Sequence, residues 1–81
     1  MWTKTFEVKF KRKHYDVLVW LSGESDGRVD VTIQSMANEY FLMEKITFDD
    51  RDSAYDFIKH YPASMAKAFL IRQGYDTQAF T

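Results

Sequence analysis

The chain has 81 residues, 46% of them hydrophobic and 17% aromatic, and a formal net charge of -1 at pH 7. That length suits a single domain over residues 1–81, near the lower limit for a core that folds without staples, and the apolar content excludes disorder. The absence of cysteine excludes disulfides and thiolate metal sites, and the near-zero net charge leaves no global field to attract polyanions.

No apolar run approaches the roughly 18 residues of a membrane span, and the first residues lack a signal-peptide pattern, so no membrane partner is expected. Charge is nevertheless uneven. Residues 1–20 carry Lys4, Lys9, Lys11, Arg12 and Lys13 against Glu7 and Asp16, whereas residues 21–56 carry nine carboxylates against Arg28, Lys45 and Arg51.

From Trp2 to Lys11 the chain alternates, with Phe6, Val8 and Phe10 on one face and Thr5, Glu7 and Lys9 on the other. That is a half-buried strand. "HYDVLVWL" (14–21) is a second strand, and "SGESDG" (22–27) a turn. "RVDVTIQS" (28–35) alternates again with Val29, Val31 and Ile33 inward. "MAN" turns the chain into a fourth strand, "EYFLMEKITF" (39–48), whose blurred period suggests a bulge.

After Phe48 the period changes. Asp49 or Asp50 can cap a helix, with Asp52 in its first turn. Ala54, Phe57, Ile58 and Tyr61 form one apolar stripe, with Phe57 buried, and Pro62 stops the helix. Ser64 can cap a second helix with the stripe Met65, Ala66, Phe69, Leu70 and Gln73, ended by Gly74 at C′. "YDTQAFT" is a tail, docked or frayed. The order ββββαα predicts an α+β fold: a four-stranded antiparallel sheet with both helices on one face.

"KFKRKHYD" (9–16) is the one concentration of cations. A turn at Arg12-Lys13 would set Lys11 opposite His14, Lys9 opposite Asp16 and Val8 opposite Val17. Phe6, Val8, Phe10, Tyr15, Val17, Val19 and Leu21 would then share the inward face. Cations at a hairpin tip are ordinarily solvated. A nucleic-acid site would interleave them with stacking aromatics and spread them more widely. Direct nucleic-acid binding through Lys9–His14 therefore stands as the alternative reading.

The other face is less ordinary. Thr5, Glu7, Lys9, Asp30, Thr32 and Gln34 suit water, but Leu18 and Trp20 fall among them. Either Tyr40/Leu42 or Phe41/Met43 must join these two. Two helices cover one side only, so an apolar row rimmed by polar groups is expected on the open side. Such rows mark partner surfaces. The alternatives are that the tail or a second copy covers the row, as in a weak dimer, or that a bulge turns Trp20 inward.

Catalysis finds little support. His14 and His60 have no triad-like spacing. Asp49, Asp50, Asp52 and Asp56 lack the glycine and terminal glutamate of a calcium loop. "SGESDG" lacks a phosphate-loop lysine. No enzyme activity, metal or cofactor is expected.

"TFDDRDSAYDFIKHYPAS" resembles the strand-to-helix junction of small phage-encoded anti-CRISPR proteins of the type I-F class. An "FD" dipeptide ends their sheet, and an apolar-striped helix, a proline and a second helix follow. Phe48, Asp49, Phe57, Ile58, Pro62 and Ser64 match that pattern without a gap, and "YDVLVW" resembles the family's second strand. The likeness covers most of residues 2–74.

The resemblance implies a non-catalytic inhibitor, acting in the host bacterial cytoplasm. It would bind the repeated backbone subunit of a crRNA-guided surveillance complex and block hybridisation of target DNA. The family's interface uses a strand-one aromatic, which Phe6 matches by spacing, and a strand-two aromatic, which Trp20 matches. A strand-three acid has no counterpart, and Thr32 and Gln34 stand there instead. With Leu18 and Lys9, which share the open face with Trp20, Thr32 and Gln34, these residues make up the expected partner-binding set, Phe6 entering by the resemblance alone because its alternation is inward.

Overall fold

The computed structural model describes residues 2–80. In chain order the elements are β1 (Thr3–Phe10), β2 (Lys13–Ser25), β3 (Arg28–Ala37), β4 (Tyr40–Phe48), α1 (Arg51–His60) and α2 (Ala63–Asp76). The strands form one antiparallel sheet in the order β1-β2-β3-β4, followed by the two helices. This is the expected ββββαα α+β architecture.

Each hairpin closes through two residues that both have positive φ: Lys11 (52°) and Arg12 (68°), Asp26 (53°) and Gly27 (80°), Asn38 (48°) and Glu39 (73°). Two-residue turns of this kind match the right-handed twist of paired strands. Only Gly27 adopts its φ without steric cost.

The first turn sits one residue earlier than the cation pattern suggested. Lys9 pairs with His14, Glu7 with Asp16, and Val8 with Tyr15 rather than Val17. The expected Lys9–Asp16 pair is therefore absent, and two carboxylates face each other instead. Because the register moves by two residues, every side chain keeps its face.

Most of "SGESDG" is strand, and only Asp26-Gly27 turns. The bulge lies in β2, where the register shifts between Leu21 and Gly23. β4 itself is unbroken against β3.

Both helices pack on the face carrying Val8, Tyr15, Val17, Val19, Val31 and Ile33. From the helices Ala54, Ile58, Tyr61, Ala66, Phe69 and Leu70 complete the core. Phe57 is only half-buried, beside Phe48 and Tyr61. Burial of the Tyr61 phenol pushes its pKa up to about 12.

Asp50, not Asp49, caps α1: its Oδ1 accepts from the Ser53 backbone N–H at 2.7 Å. That bond, with one from the Ser53 hydroxyl, holds the Asp50 carboxyl below the usual aspartate range. At the far end Lys4 Nζ donates to the carbonyls of Lys59 (2.9 Å) and Tyr61 (3.0 Å). One cation of the basic amino-terminal region is thus spent on a helix terminus.

α2 starts at Ala63 with Pro62 as its N-cap, so Ser64 is already inside it. Its buried stripe is Ala66, Phe69, Leu70 and Gly74, while Met65 lies 45% exposed. Gly74 is helical and does not stop the chain. A Cβ there would lie 2.2 Å from the Phe80 ring. The carboxyl-terminal segment turns back at Thr77 and Gln78, and Phe80 packs against Phe10, Tyr15 and Tyr75. The Asn38 amide holds the Ala79 carbonyl at 2.7 Å. Through Phe80 the tail therefore docks on the helix side.

Candidate functional site

Strand parity builds the open face. Cross-strand neighbours share a face, so the ladder makes two rows across the sheet: Thr5–Leu18–Gln34–Met43 and Thr3–Trp20–Thr32–Lys45. Towards the β1–β2 turn, Met36 lies opposite Phe41. The choice left open in the sequence is settled: Phe41 and Met43 face outward, whereas Leu42 is fully buried.

Trp20 is fixed across β3. Its indole N–H donates to Gln34 Oε1 at 2.8 Å, and the residue is half-buried. Thr32, its partner, is 4% exposed although no helix covers it. Thr32 donates its hydroxyl to Ser22 Oγ at 2.7 Å, and Ser22 donates to the Asp30 carbonyl at 3.3 Å. The bulge at Ser22 thus anchors the polar groups beside the indole. Further along, Asp30 accepts from the Thr47 hydroxyl at 2.8 Å and lies 3.9 Å from Lys45 Nζ.

Beyond Trp20 the face is apolar and open. Met36, Phe41 and Met43 are 56%, 54% and 49% exposed. Leu18, Gln34, Met36 and Phe41 line a shallow hollow of about 350 Å³ together with His14 and Asp16. Beside it Glu7 is opposite Asp16, a pair of like charges, and His14 Nδ1 lies 3.6 Å from the Glu7 carboxylate. A large exposed apolar patch with a charged rim can bind a dry, shape-matched protein surface.

Leu18, Trp20, Thr32 and Gln34 are brought together here. Lys9 lies on the same face, at the β1 edge beside His14. Phe6 does not belong to it: it is on the helix side, with its ring 5.8 Å from Tyr61. β1 alternation requires this, because Val8 and Phe6 share a face. Met36 escaped sequence reading, since "MAN" looked like a turn and β3 in fact runs to Ala37. Its signal was the continued alternation Thr32, Gln34, Met36.

The basic hairpin makes contacts of its own. Lys11 Nζ sits 5.7 Å from the Phe10 ring centroid and 5.2 Å from that of Tyr75. Lys13 donates to Asn38 Oδ1 at 3.3 Å. Two of the acidic residues are neutralised locally as well: Glu24 pairs with Arg51, whose pKa that contact raises, and Glu44 pairs with Arg72. Among the described residues no three His, Cys, Asp or Glu side chains are grouped to hold a metal. No helix among them is long and apolar enough to cross a membrane. Compared with known proteins, the chain matches no family model, no curated protein and no solved structure.

Proposed function

We propose that the protein is a non-catalytic inhibitor that binds a crRNA-guided host surveillance complex through its open sheet face and blocks target-DNA hybridisation. The observation that carries the binding half of this reading is the row of exposed Met36, Phe41 and Met43 beside half-buried Leu18 and Trp20, on a face without helices. Solvating such a row is costly, and burying it against a partner removes that cost. Trp20 suits an anchor, because its N–H is already satisfied by Gln34 and need not be desolvated again on binding. The class of partner comes from the resemblance of residues 48–64 and 15–20 to type I-F anti-CRISPR proteins.

The test is hybridisation of target DNA by a purified type I-F surveillance complex. Excess protein should stop it. Trp20→Ala should lose most of the inhibition while circular dichroism shows an intact fold. Undiminished hybridisation at saturating wild-type protein would sink the reading.

A further inference from the structure

We propose that β4 is a self-association edge, along which a second copy of this chain pairs antiparallel about a two-fold axis at Leu42. The sheet order leaves β1 and β4 as its edges. Natural edges are guarded by charges, proline, bulges or short length. β1 carries Lys4, Glu7 and Lys9 along its eight residues. β4 has nine residues, an unbroken register and no proline. Its first half, Tyr40–Phe41–Leu42–Met43, bears no charge, and Tyr40, Phe41 and Met43 are 46%, 54% and 49% exposed.

The side chains favour one register. A two-fold axis perpendicular to the sheet keeps both helix layers on the same side and can centre on any residue. Centred on Glu44, it would oppose two carboxylates. Centred on Met43, it would oppose Leu42 to Glu44. Centred on Leu42, it sets Phe41 of each copy opposite Met43 of the other, a favourable ring–sulfur pairing. It also sets Tyr40 opposite Glu44, where the phenol can donate to the carboxylate beside its Arg72 partner. The product is an eight-stranded sheet whose two apolar rows join across the axis. This inference does not rest on the proposed inhibitor role, and it is tested on the purified protein alone.

Sedimentation equilibrium of the full chain should reveal a concentration-dependent dimer. Phe41→Lys should weaken that dimer roughly tenfold, and adding Met43→Glu, which the register sets opposite it, should restore it. The chain has no cysteine, so the register can be read directly. Mixing Phe41→Cys and Met43→Cys copies under oxidation should give the 41–43 crosslink as the main product, and each variant alone should crosslink poorly. Both sites are exposed, and circular dichroism checks that each variant folds. A monomer at millimolar concentration would overturn the proposal. So would a dimer indifferent to Phe41→Lys, or Met43→Cys crosslinking to itself as readily as the mixture.

Discussion

Gly74 lies on the buried face of α2 because Phe80 occupies the space a side chain would need. In an ordinary helix interior, glycine to alanine gains about 1 kcal/mol. Here the sign should reverse. Gly74→Ala should lose about 1–3 kcal/mol in urea denaturation, the range for overpacking a filled site. With Phe80→Ala already present the same change should become neutral or stabilising. A stabilising Gly74→Ala in the wild-type background would show that the ring yields freely. A glycine near the end of an apolar stripe reads from sequence as a stop, because nothing local reveals that a ring returns to it. Ser35 is a second case at this scale: its hydroxyl is buried among the described residues with no hydrogen-bond partner, a cost of about 1–3 kcal/mol that the surrounding core offsets.

Among the elements, α1 depends most visibly on one side chain. The Asp50 carboxylate accepts from the Ser53 N–H and hydroxyl, and these bonds hold its pKa below the ordinary 3.8. A carboxyl depressed in the folded state stabilises fully above its unfolded pKa and loses that contribution as pH falls through the folded one. Asp50→Ala should therefore melt below the wild type near neutral pH. The gap should narrow as pH drops below about 3.8, the unfolded value. A gap independent of pH would mean that the charge does not carry the cap. Helix start and stop were legible here, as Asp49 or Asp50 and Pro62. The strand faces were also legible, since alternation fixes parity. Register was not: moving the first turn from Arg12-Lys13 to Lys11-Arg12 shifts the pairing by two residues, which leaves every face unchanged and so leaves no trace in the pattern. The bulge was misplaced because "YFLM" blurs β4 through an apolar open face, while the true irregularity hides among the small polar residues of "SGES".

For the whole molecule, the controlling fact is that two helices on one side leave the other side of a four-stranded sheet to its own side chains. Trp20 and Leu18 could be assigned to that side from alternation alone. Met36 could not, because it continues β3 beyond its apparent end, and Phe41 could be separated from Leu42 only by the pairing with β3. The tail, a candidate cover for the apolar row, binds the opposite side through Phe80 and Asn38.

On the proposed function, this face rather than the basic hairpin meets the partner. This is tested most directly by titrating the purified protein onto a purified surveillance complex. Two variants are compared with the wild type: Leu18→Lys on the face, and Lys11→Gln/Arg12→Gln/Lys13→Gln at the tip. Leu18 lies in β2, away from the β4 edge, so its change leaves self-pairing intact. A charge placed where the contact must be dry should weaken binding by about 30-fold or more, the scale of a 2 kcal/mol anchor. The tip variant should bind within a few-fold of wild type, because exposed charges contribute little. Full affinity in Leu18→Lys, with binding lost in the tip variant, would contradict the account and assign the interface to the hairpin.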